Sequence, residues 1–355
     1  MLWNIKDLRV FLDVSTYCNA GCPQCHRTNP NGLGKADWLP LIRWDLKTFQ
    51  KAFPKEELEN IHVLKFCGTW GDPVMCKELY QMCEYIIQNS DCRIEMDTNG
   101  SIRDTDWWWN LGVLCGDRLM VVFDVDGIDQ KMHEKYRRFT HLDKVLENME
   151  ALSYTKARAQ SQTVLFKHNQ EYKDEIVKLV KEHGSVKHSF VISDRFEAHQ
   201  TAEGDKRFFI DENGKEDYLQ RADPETLPDG VIAGIGARIP SYEIKCKWAL
   251  PRNEIVVNPD GQIMPCCYHA NAYYHGNFAD KGKEVWSHKI YTEEYSQNLE
   301  KYNILHTPLS DIIQSKWYQK TLPDSMKGNN PVPQCARYCS NREKLQYQLR
   351  STHAT

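Results

Sequence analysis

No run of eighteen apolar residues occurs in the 355-residue sequence, so no membrane-spanning helix is expected. Charge of one sign is scarce as well. The 45 Lys and Arg stand against 49 Asp and Glu, a formal net charge of −4, so the chain carries no basic field of the kind that attracts nucleic acid. The first residues, MLWNIKDLRVF, lack the basic and apolar blocks of a secretory signal. A cytoplasmic protein with neither nucleic-acid nor membrane partners is the expectation. In a reducing compartment, thirteen cysteines do not form a disulfide framework. Some of them are then metal ligands and the others buried thiols. No internal repeat is present, and the length suits about two domains at roughly 150 residues each.

Apolar, β-branched stretches recur at 8–15, 61–68, 92–100, 119–127, 162–169 and 188–193 and read as strands. Helical periodicity falls between them, at 45–53, 76–89, 104–111, 141–153 and 171–183. Strand–helix alternation at this spacing implies right-handed βαβ units around a parallel sheet. Six units are too few for a closed eight-fold barrel. The expected fold is therefore α/β, a partial (β/α)6 TIM-like barrel over 1–193, with its active face at the strand C-terminal ends. Residues 194–243 are charged and rich in Gly and Pro; they read as a linker or insertion with a hairpin at Asn213-Gly214. Residues 244–345 form a small α+β unit opening on EIVVNPDGQIMPCC, two short strands around a Pro-Asp-Gly turn. Residues 346–355 are a polar tail.

Cys18, Cys22 and Cys25 fall within eight residues, in CNAGCPQC, just after the first strand. Their spacing fits one face of a helix, but Pro23 would remove a helical donor and clash with the preceding turn. A loop of three thiolates is the better reading. Structural zinc takes four closed ligands, whereas three thiolates suit a cubane iron–sulfur cluster with one iron left open for a substrate or cofactor.

CxxxCxxC after the first strand of a partial barrel resembles the radical S-adenosylmethionine (radical SAM) superfamily. Three further stretches follow in the family's order: FCGTWGDPVM (66–75) is similar to its glycine-rich strand end, MDTNG (96–100) to its T-N-G turn, and FDVDGIDQKMHEKYRR (123–138) to its fourth strand and the region beyond. Gly68 and Gly71 allow close backbone approach to a ligand. The resemblance implies that this loop meets the amino group of S-adenosylmethionine, with Asp72 accepting its hydrogen bond and Asp124 reaching the ribose. Thr98 points to the same cavity by its strand-end position, as do Lys167 and Asn169 for a substrate. Two departures stand out. Gln24 replaces the usual aromatic residue that touches the adenine, and Asp72 replaces the usual Glu.

Cys246, Cys266, Cys267, Cys335 and Cys339 lie in the C-terminal unit. Their spacing resembles the twitch domain, a shortened relative of the SPASM domain, and implies one auxiliary [4Fe-4S] cluster beside the S-adenosylmethionine-binding one. Cys246, Cys335 and Cys339 are expected ligands. Cys266 and Cys267 remain alternatives for the fourth position, because neighbouring strand residues face opposite ways. Four-thiolate zinc stays open on ligand chemistry. Cys67, Cys76, Cys83, Cys92 and Cys115 read as core thiols, and the Trp triplet of DWWWNLG as packing with one exposed ring.

The resemblance implies a 5′-deoxyadenosyl radical that removes hydrogen from a substrate C–H. It implies a low-potential donor of flavodoxin or ferredoxin type, and a peptide or small polar substrate undergoing oxidation or crosslinking. A redox-neutral epimerase or cyclase is the first alternative, and a metal-stapled interaction module without catalysis the second.

Overall fold

The computed structural model describes residues 2–193, 195–196, 205–223, 226, 244–249, 251–278, 286–328 and 330–339. The expected tail at 346–355 and most of 224–243 lie outside the described residues.

Six strands follow the sequence pattern: β1 (Leu8–Leu12), β2 (Ile61–Phe66), β3 (Arg93–Thr98), β4 (Leu119–Asp124), β5 (Arg158–Leu165) and β6 (His188–Ile192). They pair in chain order, all parallel. Between them run α1 (Leu46–Ala52), α2 (Lys55–Leu58), α3 (Leu79–Asn89), α4 (Thr105–Cys115), α5 (Gln130–Glu134), α6 (Leu142–Ser153) and α7 (Lys173–Glu182). Local chemistry sets several helix starts. Asp45, Asp104 and Asp129 each accept a hydrogen bond from a first-turn backbone N–H, at 2.7, 2.8 and 2.8 Å, as good N-caps do. On α4, Trp108 is fully buried against Phe123, while Trp109 is 47% exposed.

The hairpin read at Asn213-Gly214 is present as β7 (Lys206–Ile210) and β8 (Glu216–Gln220), with Gly214 at φ +76°. Its Phe209 and Leu219 pack in a small core with Ala20, Cys22, Leu33, Tyr136, Phe166 and Phe196. Ion pairs Lys135–Asp217 and Arg138–Glu212, at 2.5 and 2.6 Å, fasten it to the segment after β4. This hairpin thus backs the loop that carries the cysteine triplet.

The C-terminal hairpin, β9 (Glu254–Val257) and β10 (Ile263–Met264), does not stand apart from the barrel. β9 lies parallel to β1 and extends the sheet to eight strands in the order β10-β9-β1-β2-β3-β4-β5-β6. All four residues of β9 are buried, as expected of a strand covered on both faces. The helix α8 (Cys267–Phe278) follows at once. Its first turn is thereby set at the end of the sheet beside β1, where the triplet loop begins.

Candidate functional site

The sequence after β1 leaves the sheet and is held by its neighbours at several backbone points. Thr16 N donates to Ile42 O at 2.9 Å, Gly21 N to Arg138 O at 3.1 Å, and Asp72 N to Tyr17 O at 2.7 Å. A loop so anchored places Cys18, Cys22 and Cys25 along one wall of a cavity of about 440 Å³, within the range of small-molecule sites. Gly68, Gly71, Asp72, Thr98 and Asp124 line the same cavity. Residues from four strand ends therefore converge, as the sequence pattern predicts.

The donor set around the triplet suits thiolates. Ala20 N and Asn99 Nδ2 point at Cys18 Sγ from 3.4 and 3.7 Å, and Arg137 Nη1 at Cys22 Sγ from 3.9 Å. Such N–H···S contacts orient metal-binding sulfurs and tune the group they hold. Burial pushes the Cys22 thiol up to about 12, with the Arg137 charge opposing. A bound metal would reverse that protonation, since coordination requires the thiolate. Among the described residues no three His, Cys, Asp or Glu side chains close around a single-ion position. In a four-iron cubane each cysteine binds its own iron, which spaces the sulfurs more widely.

Contacts within the protein fix several of these residues. Gly71 lines the cavity and also lies tight against the triplet loop. A Cβ there would lie 2.3 Å from Ser15 O and 2.6 Å from Tyr17 O, so this glycine lets the β2 loop pack against the triplet loop. At Gly68 the nearest atom would be 3.4 Å away, and it is this glycine that leaves room beside the cavity. Asp72 is only 3% exposed and has no acceptor to spare. It takes Thr98 Oγ1 at 3.0 Å, Asn99 N at 2.9 Å, Asn99 Nδ2 at 2.6 Å and Val74 N at 2.9 Å, against about four lone-pair sites on a carboxylate. Asp72 and Thr98 form a clamp between the β2 and β3 ends, and both line the cavity. Gln24 is turned to the end of β6, where its Oε1 accepts from Ser193 Oγ at 2.6 Å.

Lys167 and Asn169 do not reach the cavity. Lys167, partly exposed, pairs with Asp223, and Asn169 is fully buried, its Nδ2 donating to Asp126 O and Val164 O at 3.1 and 3.0 Å. Arg137 does line it, a residue that position and spacing alone did not single out. Its guanidinium meets Asp124 at 2.8 Å and Asp126 at 2.5 Å. Gln162 Nε2 donates to the other oxygen of Asp124 at 2.7 Å. Burial lifts the Asp124 carboxyl to about 7 even so, with Arg137 pulling the other way. The signal was available in the sequence as the arginine within FDVDGIDQKMHEKYRR.

A second pocket brings together Cys246, Cys266, Cys335 and Cys339 with Trp3, Trp248, Tyr268 and His269. His269 Nε2 lies 3.3 Å from Cys335 Sγ, Tyr268 stacks on Tyr338 at 3.8 Å, and Lys245 N donates to Cys339 O at 3.0 Å. Cys267 faces elsewhere. It opens α8 instead of sitting on a strand, and it lines the first cavity with the triplet. Cys67, expected in the core, lines that cavity too. Cys76, Cys83, Cys92 and Cys115 are buried as expected. Trp248 lines both pockets.

Comparison with known proteins agrees with this geometry. Residues 246–340 match the family model of SPASM, an iron–sulfur cluster-binding domain. No curated protein matches the sequence. Among solved structures, anSMEcpe with bound AdoMet aligns at 14% identity over 88% of this chain and 82% of its own, with a TM-score of 0.54. SuiB of Streptococcus suis aligns at 12% identity over 91% and 68%, with a TM-score of 0.55. SuiB bound to the precursor peptide SuiA aligns at 12% identity over 93% and 75%, with a TM-score of 0.50. The chain has the radical SAM fold, a partial barrel with a C-terminal SPASM domain. The matched family is thus SPASM itself, whose shortened form the cysteine spacing resembled.

Proposed function

We propose that this chain is a radical SAM enzyme that abstracts hydrogen from a substrate C–H, with net oxidation or crosslinking of a peptide or small polar metabolite as the outcome. The observation that carries the reading is the single cavity in which Cys18, Cys22 and Cys25 share walls with Gly68, Asp124 and the start of α8. Bound there, a [4Fe-4S] cluster with S-adenosylmethionine supplies a 5′-deoxyadenosyl radical, chemistry that belongs to the cofactor.

The chain's own residues bind, orient and shield. Cys18, Cys22 and Cys25 hold the cluster. Gly68 leaves room on the cavity wall, where it would admit the methionine portion of the cofactor. Asp124, fixed by Arg137 and Gln162, presents carboxylate oxygens to the ribose. The β7–β8 hairpin backs the triplet loop and keeps water from it, which matters because a carbon radical attacks any loose neighbour.

Cys246, Cys266, Cys335 and Cys339 hold one auxiliary [4Fe-4S] cluster, and Cys267 remains a cavity thiol. The barrel extends to residue 193 and the auxiliary unit from 244 to 345. A low-potential flavodoxin- or ferredoxin-type donor supplies the electron. The peptide reading is supported by the solved complexes of anSMEcpe with Cp18Cys peptide and of SuiB with SuiA.

Anaerobic reconstitution followed by S-adenosylmethionine and dithionite tests this. About eight irons per chain, from two four-iron clusters, and release of 5′-deoxyadenosine are expected. Zinc in place of iron, or no nucleoside product, overturns it.

A further inference from the structure

Three arginines, Arg27, Arg137 and Arg195, line the triplet cavity. Arg195 is exposed, and the two that lie deeper differ in how their charge is met. Arg137 is neutralised by Asp124 and Asp126. Arg27, two residues after Cys25, is only 6% exposed, yet no carboxylate pairs with it among the described residues. Its Nη1 donates to Ala20 O at 3.2 Å, within the triplet loop, and its Nε has no acceptor. Its backbone is fixed as well, since Arg27 O accepts from Ala36 N at 2.7 Å. Arg27 lines the same cavity as Cys18, Cys22 and Cys25.

A buried cation without a counter-ion is costly. It is retained where something anionic comes to lie beside it. Three thiolates around a cubane carry net negative charge, and one further electron adds to it. The observations therefore favour the cluster itself as the anion.

We infer that Arg27 is the charge-compensating residue of the triplet site, a positioning residue that sets the reduction potential of the cluster held by Cys18, Cys22 and Cys25. The inference rests on the proposed cluster at these cysteines. Net charge and hydrogen bonds to the sulfurs are established determinants of such potentials. A positive charge beside the cluster stabilises the more negative, reduced form, so removing it drives the potential down.

The test uses the full chain, reconstituted anaerobically. Wild-type iron content and the spectrum of the dithionite-reduced cluster first establish whether the triplet cluster exists, independently of Arg27. Redox titration by electron paramagnetic resonance, without S-adenosylmethionine, then compares Arg27→Gln and Arg27→Lys with wild type. Arg27→Gln is expected to shift the reduction equilibrium at least tenfold against the reduced state, about 59 mV for one electron, at unchanged iron content. Arg27→Lys keeps the charge and is expected to stay within about threefold of wild type, roughly half that shift.

Cluster loss in the Gln variant but not in the Lys variant also supports the inference, because charge is then what the site requires. Loss in both overturns it, leaving Arg27 as a brace for the loop. An unmoved potential with an intact cluster overturns it too. If affinity for S-adenosylmethionine falls while the potential stays fixed, Arg27 belongs to a ligand carboxylate instead, and the inference fails.

Discussion

Cys266 and Cys267 are adjacent in the chain and face different cavities. Cys266 lines the pocket with Cys246, Cys335 and Cys339, and Cys267 lines the one with Cys18, Cys22 and Cys25. The hairpin ends at Met264 and α8 begins at Cys267. The chain therefore changes direction between the two thiols, and a single peptide bond spans the wall between the two pockets. Trp248 completes that wall from the other side.

This split gives a clean pair of substitutions. Cys266→Ala is expected to lose about half of the bound iron, the share of one four-iron cluster out of two, while Cys267→Ala keeps all of it. Iron and sulfide analysis of the reconstituted variants decides. Equal loss in both would place Cys267 among the ligands.

The two glycines of the β2 loop separate in the same way. A Cβ at Gly71 meets two carbonyl oxygens of the triplet loop at under 3 Å, so Gly71→Ala is expected to cost about 1–3 kcal/mol of stability through overpacking, read as a lower Tm. Gly68→Ala meets nothing closer than 3.4 Å. Its Tm stays within about a degree of wild type, given a cost below ~0.5 kcal/mol, and its effect appears as weaker S-adenosylmethionine binding by equilibrium dialysis.

Asp72 joins the β2 and β3 ends through hydrogen bonds to Thr98, Asn99 and Val74. Asp72→Ala strands buried donors, and each unsatisfied group costs roughly 1–3 kcal/mol. Urea denaturation of the variant is expected to show a midpoint well below wild type. Iron binding by the N-terminal triplet falls with it, because the clamp holds Asn99, whose amide points at Cys18.

Asp13 gives the pH dependence a sign. It is 1% exposed; its Oδ1 accepts from Thr69 N at 3.0 Å, while Oδ2 has no partner. Burial raises its carboxyl from 3.8 to about 7. The folded state then binds a proton that the unfolded chain has already released. This group's contribution is largest below about pH 4 and is lost as pH rises toward about 7. Asp124 acts in the same direction. Asp13→Asn keeps the Oδ1 acceptor and removes the titration. Thermal denaturation from pH 4 to 8 should show the variant gaining stability relative to wild type, by an amount on the order of 1–3 kcal/mol across the window. A slope identical to wild type would count against the buried charge.

Much of the barrel was legible because its signals are local. β-Branched alternation marks β1 to β6, apolar periodicity marks the long helices, and Asp residues cap several of them. The triplet was legible as a loop for the same reason, since Pro23 and Gly21 do not support a helix there. The hairpin at Asn213-Gly214 followed from its turn residues.

What the sequence by itself determined, then, is the order and type of the barrel elements and the presence of two thiol sets. Tertiary structure alone decided that β9 would pair with β1, that Cys266 and Cys267 would part company, that Asp72 would spend its lone pairs on its neighbours, and that Lys167 and Asn169 would stay outside the cavity. The physical reason is range. Propensity and turn chemistry act over a few residues, whereas the direction of a side chain and the partner of a buried charge depend on segments that only the folded chain packs together.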